Sequence, residues 1–226
     1  MLLVIPDIHG RTFWKEPCEN VGNYDKIIFL GDYFDPYDFE DISVEDAIEN
    51  FKEKIEFKKD NIEKVVLLIG NHDEPYISKD YYHFSTYHCR HSHIYHDKIA
   101  YLFNENIEFF NIAYTERDIL FTHAGVESGW LERVVECEES DISNICKAIN
   151  NLQNSVDGLK KLYQISSSRG GIDKYGSCIW CDVRDILLDV DSLQSLNTLL
   201  RPIYRIKQIF GHTRHLRNKN RFLSVL

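Results

Sequence analysis

No stretch of this chain approaches the roughly 20 apolar residues of a membrane-spanning helix, so no span is expected. Positive charge is in deficit: 26 Lys and Arg stand against 36 Asp and Glu, a formal net charge of -10. That balance argues against a general affinity for nucleic acid or an anionic membrane. A local cationic site stays compatible with it, because bound metal ions are outside the sum. The opening Met1-Leu2-Leu3-Val4-Ile5-Pro6-Asp7 lacks the basic n-region and the apolar length of a signal peptide. It reads as a strand that delivers Asp7 and His9. Internal repeats and low-complexity linkers are missing as well, so nothing marks a cut into independent domains. The 6 cysteines lack the pattern of a disulfide mini-protein and suit a reducing cytoplasm.

What the chain does have is a series of short apolar runs ending in Gly, Asp or His. They are Leu2 to Ile5, Lys26 to Leu30, Val65 to Ile69, Ile119 to Thr122 and Ile206 to Phe210. Their length and β-branched content favour buried strands over helices. Between the second and third runs, Val44, Ala47, Ile48, Phe51 and Ile55 fall near helical spacing, and Ser43 with Asp46 forms a capping box. That stripe is core packing, not a partner surface. Strand, helix, strand alternation indicates βαβ units in a layered α/β domain. At 226 residues the chain suits one domain over 1–226. Two excursions fit the alternation poorly: 74–114, rich in Tyr and His, and 126–177, which reads as short helices followed by a Ser/Gly segment. Excursions of this length carry lids or binding loops.

Five polar clusters stand at or just beyond the ends of apolar runs: Asp7-Ile8-His9-Gly10, Gly31-Asp32-Tyr33-Phe34-Asp35, Gly70-Asn71-His72-Asp73, Thr122-His123-Ala124-Gly125 and Gly211-His212-Thr213. Singly, each reads as a turn or a cap. As an ordered set they put carboxylate, amide and imidazole groups at successive strand mouths, where open α/β sheets hold their sites. A two-metal hydrolase needs one ligand shared by both ions and further ligands for each. Asp32 is the candidate bridge. Asp7 and His9 are placed to turn onto the first ion, and Asn71, His123 and His212 would complete the shell of the second. Ligation by N and O without thiolate suits two divalent ions, Mn first, with Fe or Zn as alternatives. Two such ions against Asp7 and Asp32 leave about +2, a surplus that attracts a phosphate dianion. His72 would protonate the leaving group while Asp35, three residues after the bridge, holds its imidazole.

These clusters resemble the calcineurin-like metallophosphoesterase superfamily, and the closing Gly211-His212-Thr213 is similar to its serine/threonine phosphatase and bacterial diadenosine-tetraphosphatase branch. Other branches end Gly-His-x-His; here Arg214 takes the second His position, and His215, one further on, is not counted as a ligand. The resemblance implies a four-layer α-β-β-α sandwich of two mixed sheets with a dinuclear metal site at the strand ends. It also implies a metal-dependent phosphoester hydrolase. In one respect the chain departs from the branch: Pro36-Tyr37 follows Asp35 where an Arg-Gly that grips phosphate is the rule. Another clamp is then required. Arg169, in Ser168-Arg169-Gly170-Gly171, is the first candidate, ahead of Arg11, Arg184 and Arg214.

A small phosphorylated molecule is the expected substrate, with a phosphoprotein or a dinucleoside polyphosphate as further choices. A phosphodiesterase or nuclease could use the same ions, but the chain shows no basic stripe with aromatic platforms. A non-catalytic scaffold ranks last, because the ligand set and the acid are both complete. Asp73 is read equally as an N-cap or as support for the site. His83, His88, His91, His93 and His96 with Cys89 match no standard zinc spacing and read as a solvated or substrate-facing lid. Cys178-Ile179-Trp180-Cys181 has redox spacing without the setting, and reads as a packed strand near the site.

Overall fold

The computed structural model describes residues 1–77, 88–137, 141–186 and 206–213. His83, Arg214 and His215 lie outside the described residues. The chain divides into two compact units, Met1–Asn111 and Ile112–Leu226.

The first unit is built on a sheet of β1 (Leu2–Ile5), β2 (Lys26–Phe29), β3 (Val65–Leu68) and β4 (Phe110–Asn111), in that order. All three pairings are parallel, with Leu2 opposite Lys26, Ile27 opposite Val65 and Leu67 opposite Phe110. The short helix α1 (Lys15–Cys18) lies between β1 and β2, and α2 (Val44–Asp60) crosses from β2 to β3. Beyond β3 come α3 (Glu74–Ile77) and α4 (His96–Asn104). Helix α2 begins as its sequence dictates: Ser43 Oγ accepts from Asp46 N at 3.0 Å while the Asp46 carboxylate accepts from Ser43 N at 3.3 Å. Ala47, Ile48, Phe51 and Ile55 are buried on its inner face, each large side chain contributing about 1.5–3 kcal/mol by leaving water. Phe51 stacks on Phe110 with ring centroids 5.9 Å apart and meets Phe103 of α4 at 4.8 Å. The helix thus packs against the far edge of the sheet through aromatic contacts.

The second unit holds β5 (Ala113–Glu116), β6 (Ile119–Thr122) and β7 (Lys207–Ile209). β5 and β6 form an antiparallel hairpin, and β6 runs parallel to β7. Helices α5 (Ser128–Trp130), α6 (Ile142–Asn151) and α7 (Val156–Leu162) accompany the sheet. Asn150 of α6 accepts from the amides of Ile112 and Ala113 at 2.8 and 3.0 Å and donates to the Ala113 carbonyl at 2.9 Å. One side chain therefore pins this helix to the start of β5. Trp130, fully buried, donates from its indole to the Lys161 carbonyl at 3.1 Å.

The α/β class with two sheets and flanking helices is the expected one, and the five anticipated runs are all strands. The first sheet is parallel throughout its described strands; the second is mixed. Strands β4 and β5 fall inside or at the edge of the 74–114 excursion and carry no clear alternation. Removing the α2 cap is a direct test of the local account: Ser43→Ala should cost about 1 kcal/mol, read as a lower denaturation midpoint with an unchanged slope, and should leave activity intact.

Candidate metal centre and general-acid pair

Past the carboxyl ends of β1, β2 and β3, three loops deliver the candidate residues of the first unit. Two glycines let two of these loops meet. A Cβ on Gly31 would lie 2.4 Å from the Gly70 amide nitrogen, and one on Gly70 would lie 2.2 Å from Asp32 Oδ1. The Asp73 carboxylate then fastens them: Oδ2 accepts from Asp32 N at 2.7 Å and Gly70 N at 2.9 Å, and Oδ1 accepts from Tyr33 N at 2.7 Å. Asp73 thus supports the site, the second of the two roles its sequence position allowed. His9, Asp32 and Asp35 all hold a left-handed backbone, φ 46, 54 and 58, a conformation uncommon outside glycine that Asp and His tolerate better than most residues.

The side chains of His9, Asp32 and His72 offer ligand atoms within 4.8 Å of one another, all three residues being buried. His9 Nδ1 lies 2.8 Å from the Phe34 carbonyl. That bond fixes the proton on Nδ1 and leaves Nε2, 3.5 Å from Asp32 Oδ2, with its lone pair toward the carboxylate. Burial lowers the His9 pKa; the charges of Asp32 and Asp7 only partly oppose it. A neutral imidazole so oriented is what a cation requires. His72 is tuned the other way. Burial alone would lower its pKa, but the Asp32 charge and the Asp35 hydrogen bond outweigh it, and the net shift is upward. Its Nδ1 stands 2.8 Å from Asp35 Oδ2, and its backbone amide donates to Asp32 Oδ1 at 2.9 Å. Two imidazoles with ring centroids 4.9 Å apart are therefore shifted in opposite directions beside one carboxylate. Asn71 is buried in the same loop, its Nδ2 3.9 Å from Cys89 Sγ. Asp7 is half-buried; its carbonyl accepts weakly from Arg11 Nη1 at 3.4 Å, and it stands outside the tight His9, Asp32, His72 group.

In the second unit His123 directly follows β6 and His212 lies just past β7, again at the carboxyl ends of parallel neighbours. His123 Nε2 and His212 Nδ1 are 3.1 Å apart. Two nitrogens bound to one ion at about 2.0–2.1 Å sit roughly 2.9–3.4 Å from each other, so the spacing fits a shared cation. His212 also has a left-handed backbone, φ 64. Arg169 stands beside it, but its guanidinium is engaged: Nε pairs with Asp182 Oδ2 at 2.8 Å, and Nη2 donates to Thr213 Oγ1 at 2.6 Å and to the His212 carbonyl at 3.4 Å. It anchors the His212 loop. Arg184 is held by the same Asp182 and by the Ser168 carbonyl at 2.8 Å. Arg11 pairs with Glu40 at 2.7 Å.

The segment Cys178–Cys181 forms a turn rather than a strand. Burial raises both thiol pKa values, the thiols are not joined in a disulfide, and the Cys178 carbonyl accepts from Ala124 N at 2.8 Å. It supports the loop after His123. Trp180 meets His212 edge-on at 6.0 Å. Among the described residues, the histidines of 88–96 form no further ligand cluster, although His91 Nε2 and His96 Nδ1 lie 3.1 Å apart. Arg90, which sequence reasoning passed over, donates to the Asp35 carbonyl at 2.8 and 3.2 Å and lies over the Tyr37 ring at 3.7 Å. Both border a cleft of about 630 Å³ beside Asp35, lined also by Asp38, Asp41, Val44 and Tyr76. Nothing in the spacing of Arg90 signals this, because it comes back to the site from a distant excursion.

Buried carboxylates and imidazoles gathered past strand ends are the equipment of a metal-dependent hydrolase. The chain matches the model of the calcineurin-like phosphoesterases over residues 2–213 and belongs to that family of metal-dependent phosphoric ester hydrolases. Among solved structures it is similar to the cold-active protein-tyrosine phosphatase of a psychrophilic Shewanella species, at 19% identity and TM-score 0.45, over 80% of this chain and 56% of that one. It is also similar to the phosphatase domain of the Legionella effector WipB, at 14% identity and TM-score 0.48, over 83% of this chain and 71% of that one. The chain thus spans little more than half the length of the Shewanella enzyme. No curated protein matches it.

Asp73→Asn keeps the size of the side chain but offers one acceptor oxygen where the carboxylate offers two. At least one buried amide loses its partner, at about 1–3 kcal/mol. Thermal unfolding should move down by that amount and metal retention should fall; an unchanged melting curve would remove Asp73 from the account.

Proposed function

We propose that the protein is a two-metal phosphatase acting first on small phosphorylated molecules, with His72 as general acid. The single observation that carries the reading is the 2.8 Å hydrogen bond that holds His72 Nδ1 on Asp35 Oδ2 beside the buried cluster of His9, Asp32 and His72. Asp7, His9, Asp32 and Asn71 of the first unit and His123 and His212 of the second would supply the ligands, a set supported by the order of the motifs and by a family match that runs through all six. Two divalent ions, Mn first and Fe or Zn as alternatives, would supply charge for the phosphate and acidify a water.

The rest falls to the chain itself. His72 keeps Nδ1–H on Asp35 and gives the Nε2 proton to the departing oxygen, so the leaving group departs as an alcohol. Were Asp32 to hold a cation, its pull on His72 would be cancelled, and Asp35 would be the group that preserves the proton. Arg169, held beside His212, is the proposed grip on the phosphate, with one face of its guanidinium committed to Asp182. The acidic balance of the chain favours small substrates over nucleic acid. Among the described residues no helix is long and apolar enough to cross a membrane. A cytoplasmic setting is proposed on the 6 cysteines, none of them disulfide-bonded.

Metal-stripped and Mn²⁺-reconstituted protein should be compared on p-nitrophenyl phosphate and on its bis ester. Metal-dependent cleavage of the monoester is expected. Preference for the bis ester would overturn the phosphatase reading in favour of a diesterase, and silence on both, with metal bound, would overturn it in favour of a selective polyphosphate hydrolase or a non-catalytic scaffold.

On an alkyl phosphate, whose leaving group needs the proton, His72→Asn should lower turnover about 10²–10⁴-fold with metal content unchanged. Turnover that stays the same would end the general-acid assignment.

A further inference from the structure

A buried tyrosine that none of the motifs includes completes the acid pair. Tyr76, on α3, is 1% exposed. Its hydroxyl donates to Asp35 Oδ1 at 2.6 Å and accepts from the Ser92 amide at 2.8 Å. The two oxygens of Asp35 are thereby divided: Oδ1 takes the phenol, and Oδ2 takes His72 Nδ1 at 2.8 Å. A carboxylate held at one oxygen by a short O–H bond cannot turn freely about its last torsion, so the other oxygen stays aimed at the imidazole. The main chain is gripped at the same place, since Arg90 donates to the Asp35 carbonyl at 2.8 Å. The ring of Tyr76 is fixed in turn, stacked on His91 with centroids 4.4 Å apart at 23° and packed on Phe34 at 5.7 Å. Burial and the nearby Asp35 charge raise the phenol pKa, so the hydroxyl remains a donor.

We propose that Tyr76 is a positioning residue for the general acid, acting on His72 only through Asp35, with the Ser92 amide setting the direction of its hydroxyl. The inference rests on the assignment of His72 as the acid. It also accounts for the stretch Cys89 to Ser92, where Cys89 Sγ donates to the Asn71 carbonyl at 3.3 Å, Arg90 holds the Asp35 backbone, and Ser92 holds Tyr76. The returning excursion is a strap on the acid pair rather than a solvated lid along these residues.

Tyr76→Phe retains the ring and its stack and removes one oxygen. The readout is kcat over a series of phosphate monoesters whose leaving groups rise in basicity. p-Nitrophenolate departs without a proton, so its ester should lose less than about threefold. Phenyl phosphate and an alkyl phosphate, which need the proton, should lose about tenfold or more, with KM held within about twofold. In an Asp35→Asn background the same substitution should add less than about twofold, since its path of action is already cut. An equal loss on every ester would make Tyr76 merely structural, and no loss on any would remove it altogether; either result overturns the proposal.

His72→Asn, run on the same series, separates the two levels. If it fails to steepen the leaving-group dependence, the general-acid reading has failed and this inference with it. If it steepens the dependence and Tyr76→Phe does not, the positioning role alone is wrong.

Discussion

The carboxylate of Asp73 is the contact on which the first half of the site depends. Three backbone amides from two loops converge on it, and the close meeting of Gly31 and Gly70 brings those amides within reach. A buried charge is costly unless hydrogen bonds satisfy it, so the loops cannot separate without stranding both the anion and its donors. Asp32 and His72 ride on this clasp, Asp32 with its own amide bound to Asp73 and His72 with its amide bound to Asp32. The placement of Asp32 and His72 is therefore set by main-chain bonds.

Charge then divides the labour. His9 and His72 face one carboxylate from similar depths, yet they are driven apart because their second nitrogens have different partners. His9 gives Nδ1 to a neutral carbonyl, and burial lowers its pKa; His72 feels the Asp32 charge and gives Nδ1 to Asp35, and its pKa is raised. In the second unit His123 and His212 converge on each other, and Arg169 and Asp182 brace the loop that carries His212. Both units thus place their donors at the carboxyl ends of parallel strands, where the backbone must turn sharply.

Much of this was legible in the sequence, and for identifiable reasons. Apolar runs that stop at Gly, Asp or His record both a buried strand and the turn that follows it, so all five strands and their loop residues could be read directly. The Ser43 cap was equally plain, since its two hydrogen bonds need only residues three apart. The β5–β6 hairpin was not. Its turn is Arg117-Asp118, both with positive φ, where Asn-Gly would have announced it. Strand β4 has two residues and no alternation to show. Tyr76 and Arg90 escaped, and Asp73 stayed open between two roles, because what they do depends on which distant loop they meet, and spacing along the chain does not encode that.

Eight residues other than glycine have a left-handed backbone among the described residues. Two turn the β5–β6 hairpin, and two, Asp41 and Glu136, end helical segments. The other four are His9, Asp32, Asp35 and His212. Glycine or asparagine would sit more easily at each of them, so selection for stability alone would erode the chemistry. The molecule consequently carries a second record of its site, written in torsion angles rather than in side chains. An observer shown only the main-chain torsions of the described residues other than glycine, with the hairpin and helix ends set aside, would mark the same four positions.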